Sequence, residues 1–231
     1  MKILIPTSKQ MREREEVLKK GIGENTEKVL EEILKIDDLS KFFKIKKEQA
    51  EIERKRFIDI KNRVAKEYTA INLFDGLMYR NIKRENLNKQ EMEYLNNIYI
   101  TSSFYGIINA LDNISLHRLD FSNNLCINKM SLKKFWQKYY DEIVEKDDVV
   151  ISLLSSEFEG VFSKEIREKM YKIIFKKKDK IHSTISKKAR GQFLTALMEN
   201  NIKSIEEIRA LKFCGYELKE ENDKTLIFKK K

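Results

Sequence analysis

The chain has 231 residues, with 47 Lys and Arg against 37 Asp and Glu, two His, two Cys and a net charge of +10. That length supports a proper core, and one Pro with seven Gly leaves no disordered linker, collagen-like stretch or low-complexity segment. No apolar window reaches the length of a signal sequence or a membrane span, so the expectation is a cytoplasmic protein with no membrane partner.

Residues 2–5 predict a short strand closed by Pro6, which cannot donate to a ladder. Residues 10–20 predict a helix stopped by Gly21 and Gly23. Asn25 and Thr26 can cap the next helix, whose apolar stripe is Val29, Leu30, Ile33 and Leu34. Asp38 opens a helix with Leu39, Phe42 and Phe43 inward, and residues 47–66 predict a longer one carrying Ile52, Phe57, Ile60 and Val64. Phe74-Asp75-Gly76 is an apolar turn. Residues 88–97 are helical, 98–105 a strand ending at Gly106, and 115–121 a second strand. Ser131 caps a helix holding Phe135 and Trp136, and the apolar run 149–154 predicts a central buried strand. The last third predicts a helix at 164–169, strands at 171–175 and 180–185, helices at 189–200 and 204–211, and a hairpin of 213–218 with 225–229. The fold class is α+β: a single mixed domain over residues 1–231 with a central sheet, surrounding helices and a basic C-terminal part at 163–231.

Residues 163–231 hold 19 Lys and Arg against 10 Asp and Glu, while the remainder holds 28 against 27. A localised excess points to a polyanion such as DNA, or else to a solvated charged face. Within this part, Lys187, Lys188 and Arg190 fall in four positions, and Arg190 opens the predicted amphipathic helix with Phe193, Leu194, Leu197 and Met198 on one face. Amides at a helix start beside such cations suit phosphate. Cys126 and Cys214 are isolated and read as reduced, buried and inert thiols. No His, Cys, Asp or Glu cluster has metal-ligand spacing, and no cofactor is implied.

Several stretches converge on one family. Residues 2–9 (KILIPTSK), 70–79 (AINLFDGLMY), 104–112 (FYGIINALD), 117–120 (HRLD), Phe135-Trp136, 150–157 (VISLLSSE) and 187–191 (KKARG) together resemble the peroxide stress protein YaaA family. The resemblance implies an α+β protein of the bacterial cytosol that limits oxidative damage. It also implies sequence-independent binding of duplex DNA through a positively charged cleft and a helix-hairpin-helix-like element. Here that element matches the helix from Ala189, the turn at 200–203 and the helix from Ser204. The matched cations are Lys9, Arg118, Lys187, Lys188 and Arg190. The chain departs from the family pattern at Gln137-Lys138, at Asn109-Ala110 and at Ser156, each of which loses a family residue; at Lys138 and Ser156 that residue is acidic.

Beside the bland possibility of an interaction module with a basic surface, two classes of function stay open. In one, a non-enzymatic protein sets its cations on DNA phosphates while the helical hairpin presents backbone amides. In the other, the same cations hold a nucleotide or phosphorylated small molecule, with Asp112, Asp120 or Glu157 as acid or base. Those carboxylates with Arg118 also suit an internal ion-pair network. Phe135, Trp136, Tyr139 and Tyr140 at helical spacing suit the core, or stacking on exposed bases. A long open groove favours DNA; a closed pocket with convergent carboxylates favours catalysis.

Overall fold

The computed structural model describes residues 1–177, 180 and 182–230. Strand β1 (Lys2–Pro6) leads to helices α1 (Glu24–Leu34), α2 (Leu39–Phe43) and α3 (Lys47–Lys61). Next come β2 (Tyr68–Thr69), α4 (Ala70–Leu73), α5 (Lys89–Tyr94), β3 (Ile98–Ser102), β4 (Gly106–Asn109) and β5 (Asn113–Ile114). A small ladder of β6 (Cys126–Ile127) and β7 (Met130–Ser131) precedes α6 (Leu132–Val144) and β8 (Val150–Ser152). The rest is α7 (Ser156–Glu159), α8 (Lys164–Lys169), β9 (Tyr171–Lys177), α9 (Ser183–Glu199), α10 (Ile205–Ala210), β10 (Lys212–Phe213), β11 (Tyr216–Asn222) and β12 (Thr225–Lys230).

Eight strands form one mixed sheet in the order β10-β11-β12-β9-β8-β1-β3-β4. The five from β12 to β3 run parallel, and antiparallel strands close both edges. Parallel strands need cover on both faces, and β1 shows how one segment supplies it. Its Ile3 and Ile5 join one core with Phe193, Leu194 and Leu197 of α9, while Leu4 joins the other with Val29 of α1, Phe57 of α3 and Tyr140 of α6. The mixed single domain with a central sheet is therefore present, as is the buried strand at the centre, β8.

Several expectations fail for tertiary reasons. Residues 10–20 form no helix; they run extended, bridging Met11 to Phe74 and Val17 to Glu67, because too few apolar residues recur to give a helix a buried face. Residues 115–121 form no strand, since Ser115 N–H binds the Tyr105 hydroxyl (2.9 Å) and the segment wraps the ring of His117. Of the predicted strand 180–185, Lys180 makes only an isolated bridge to Lys177, Ile181 lies outside the described residues, and α9 already begins at Ser183. Helix α3 ends at Lys61 and turns Ala50, Glu53, Phe57 and Ile60 inward, leaving Ile52 and Val64 exposed. Cys126 and Cys214 are exposed rather than buried, each sitting at a strand end or turn.

Gly106 (φ +80°) starts β4 rather than ending β3, and a Cβ there would meet the Trp136 ring at 2.7 Å. Gly191 has a different task. It lies inside α9, and a Cβ would stand 2.2 Å from the Met78 carbonyl and 2.8 Å from Asn81 Cβ. In an exposed helix interior, Gly→Ala stabilises by about 1 kcal/mol. Here overpacking reverses the sign, and Gly191→Ala is expected to destabilise by about 1–3 kcal/mol. Urea denaturation of the two chains checks this; a variant as stable as the parent refutes the close contact.

Candidate phosphate-binding cleft

The sheet contains one topological switch point. After β1 the chain moves to β3 on one side; after β8 it moves to β9 on the other. In open α/β sheets the crevice beyond the carboxyl ends of such a strand pair is where ligands bind. A cleft of about 470 Å³ lies at the ends of these two strands, within the usual range for small-molecule sites. Residues 6–10 leaving β1 form one wall, with Ser155 and Glu157 beyond β8, Gly76 to Tyr79, Asp120, and Thr184, Lys187 and Arg190 of α9 completing it.

Five predicted site residues converge here: Lys9, Lys187, Arg190, Asp120 and Glu157. Lys9 Nζ pairs with Asp120 Oδ2 at 2.5 Å. Burial works against charge on Asp120, but the Lys9 ammonium and the hydroxyl and amide of Ser122 outweigh it and hold the carboxyl below its usual range. Glu157 differs: its Oε1 is buried and has no hydrogen-bond donor among the described residues. Among the described residues Arg190 gives one bond, from Nη2 to the Leu154 carbonyl (3.2 Å), while its Nε is buried without an acceptor. Burial pushes the guanidinium down from its ordinary range, only partly offset by Glu159. Lys187 is exposed at the rim.

Other candidates lie elsewhere. Lys188 is exposed and Arg118 half-buried, and neither lines the cleft. Asp112 Oδ2 accepts the Asn109 amide (2.8 Å) and Oδ1 faces Lys20 at 3.6 Å, so it serves a turn and a surface pair. Lys138 is solvent-exposed and pairs along its helix with Glu142. Phe135, Trp136 and Tyr140 are buried, with Trp136 Nε1 donating to Ser103 O (2.8 Å), so these three offer no stacking platform. Among the described residues no group of three or more His, Cys, Asp or Glu is placed to hold a metal.

The expected use of helix starts and hairpin amides also changes. Helix α9 begins at Ser183, so Lys187, Lys188 and Arg190 sit inside it rather than at its opening. The hairpin turn follows Glu199, about 20 Å along the axis from Lys187. Its amides are taken: those of Asn200, Asn201 and Ile202 bind helix carbonyls, and those of Lys203 and Ser204 bind the Glu207 carboxylate. Sequence reasoning missed Thr7, Ser8, Ser155 and Thr184. The signal was present in two polar runs, Thr7-Ser8-Lys9 and Ser155-Ser156-Glu157, each leaving a buried apolar strand.

A family model described as peroxide stress protein YaaA matches residues 1–222. The chain belongs to this family. It is 43% identical over 240 residues to UPF0246 protein gbs2036 of Streptococcus agalactiae serotype III (strain NEM316), covering 100% of this chain and 99% of the relative. It is 44% identical over 241 residues to UPF0246 proteins of Streptococcus gordonii and Streptococcus thermophilus (strain CNRZ 1066), covering 100% of this chain and 99% and 98% of those relatives. The cleft thus belongs to a chain that matches its relatives from end to end.

His117 anchors the segment that delivers Asp120. Its ring stacks on Phe104 (5.1 Å between centroids), and Nδ1 lies 2.8 Å from the Ser115 carbonyl. Burial lowers its pKa from 6.5 to about 4. Between those values the unfolded chain binds a proton that the folded chain does not, so stability is full above pH 6.5 and falls on acidification. The loss should reach about 3 kcal/mol near pH 4. Denaturation across pH 4 to 7 checks this, with His117→Phe expected to flatten the slope; an unchanged slope in that variant assigns the acid sensitivity to other groups.

Proposed function

We propose that this protein acts in the peroxide stress response by binding a phosphorylated ligand of nucleotide size in the cleft between β1 and β8. The observation that carries the reading is the meeting of Lys9, Lys187 and Arg190 with the unpartnered, buried Glu157 Oε1 at the switch point. Cations alone suit any phosphate. A buried carboxylate oxygen without a donor costs free energy and selects a ligand that brings an N–H or O–H of its own. A nucleotide brings both, with phosphate on Lys187 and Arg190 and a ribose or base donor on Glu157. If a reaction takes place here, Glu157 is the residue free to move a proton, because Asp120 is already held by Lys9 and Ser122.

A second reading, sequence-independent DNA binding that limits iron-dependent damage, is supported by the exposed side chains of Lys187 and Lys188 in the most basic part of the chain. Titration of AMP and of a short duplex at several salt concentrations separates the two. In the cleft reading AMP binds, Lys187→Ala and Arg190→Met each weaken it about tenfold or more, and Lys188→Ala leaves it unchanged. Glu157→Gln relieves repulsion on phosphate yet keeps an acceptor. In the DNA reading the duplex binds with a salt slope of roughly −3 to −5, for about three to five phosphates, and Lys188→Ala weakens it as much as Lys187→Ala. Failure of AMP to bind, with a steep duplex slope, overturns the cleft reading in favour of DNA.

A further inference from the structure

The lining of the cleft divides by chemistry. Helix α9 brings polar and cationic groups, Thr184, Lys187 and Arg190. Apolar lining comes from other elements, among them Leu119, next in sequence to Asp120, and Phe158 of α7, next to Glu157. Leu119 is buried, whereas Phe158 is only half-buried. The segment around Leu119 and helix α7 meet, since the rings of Phe121 and Phe158 lie 5.7 Å apart between centroids. Those rings cross at 83°, so Phe121 holds Phe158 by an edge-to-face contact and does not stack on it. Among the described residues Phe121 is the only ring partner of Phe158.

A phosphate answers only the cations of this lining. A half-buried aromatic ring on the wall of a concave site is apolar surface still held in water. A flat ring laid on it removes that surface and adds the offset attraction of one π system for another. The groups beside Phe158 narrow the choice of ligand further. Asp120 and Glu157 line the same cleft, and ionised carboxylates accept hydrogen bonds but give none. A saturated chain attached to a phosphate would bring them no donor. A nucleobase carries a π face and amino donors on its edge.

We propose that the cleft contains a base subsite, in which the nucleobase of the ligand stacks on Phe158 while its phosphate lies on Lys187 and Arg190. The inference rests on the nucleotide reading above and adds which part of the ligand is selected. A phosphorylated sugar without a base leaves Phe158 uncovered and binds by its phosphate end alone.

The test is calorimetric titration of the full chain with AMP and with ribose 5-phosphate, which has the same sugar and phosphate and no base. AMP is expected to bind about tenfold more tightly, the size of one base–aromatic stack. In proton NMR the adenine ring protons of bound AMP are expected to move upfield, a signature of stacking that a merely structural role for Phe158 would not give. Phe158→Leu keeps an apolar side chain without a ring, and is expected to bring AMP down to the affinity of ribose 5-phosphate; Phe158→Tyr is expected to keep the preference. Lys187→Ala is expected to weaken both ligands alike, because both carry the phosphate. Equal affinities in the parent chain, or a preference that survives Phe158→Leu, overturn the base subsite and leave the phosphate cleft standing. Should Phe158→Leu fail to fold, the NMR signature decides, and AMP bound without the upfield shift overturns the stack. If neither ligand binds, both readings fall.

Discussion

The contact on which the site depends is the backbone of α9 resting on the turn at Tyr79–Asn81 and the carbonyl before it, with no side chain between them at Gly191. A glycine inside a helix costs about 1 kcal/mol against alanine, and the surrounding packing offsets that cost. Phe193, Leu194 and Leu197 are fully buried on the same helix, and Thr195 Oγ1 accepts the Lys83 amide at 2.9 Å while lying 3.3 Å from the Asn81 carbonyl. One turn earlier, the same helix carries Lys187 and Arg190 over the ends of β1 and β8. The Lys-Lys-Ala-Arg-Gly run is therefore two devices in one segment: Lys187 and Arg190, which line the cleft, and a glycine that sets how close they come.

The opposite wall is fixed by electrostatics rather than by shape. Asp75 donates its amide to the Gln10 carbonyl (2.8 Å) and accepts from Arg80 (3.1 Å), with Arg84 at 3.5 Å. Arg84 also donates to the Phe74 carbonyl at 2.8 Å. Burial, and then Arg14, press the Arg84 guanidinium down from its ordinary range, with Asp75 working in the other direction. A buried pair of this kind adds little net stability, yet breaking it leaves an uncompensated charge at a cost of about 3–5 kcal/mol. Its effect is positional. It ties the Phe74-Asp75-Gly76 turn to the segment leaving β1, where a Cβ on Gly76 would sit 2.2 Å from Ser8 Oγ.

The sequence shows the strands of the sheet plainly because parallel strands buried on both faces must be apolar throughout, as at Ile3-Leu4-Ile5 and Val150-Ile151. Two caps are equally visible, since Ser131 and Asp38 do accept the amides that their positions predict, whereas Asn25 and Thr26 lie inside α1, which starts behind Gly23. Segments whose conformation is dictated from a distance are not. Residues 10–20 carry helix-forming side chains but are held extended by Leu73 and Glu67, and Thr184-Ile185 reads as β-branched strand yet lies in α9. For the site, composition could find cations in a basic segment but not the strand order. Only that order separates Lys9, Lys187 and Arg190, which meet, from Arg118 and Lys188, which do not.

The cleft also holds two carboxylates in opposite conditions, and the contrast bears on mechanism. Asp120 has its charge met by Lys9 and its oxygen by Ser122, so it is a fixed acceptor that holds a loop in place. Glu157 keeps a buried oxygen free, and Arg190, a residue of the same cleft, keeps its buried Nε free. An unmet acceptor and an unmet donor on two residues of one cleft do not satisfy each other. Their separation has a physical rationale if a third body lies between them and supplies an anion to one and a donor to the other. The phosphodiester backbone of a duplex supplies only the first. The nucleotide reading proposed above rests on this pairing of unmet groups more than on the count of cations.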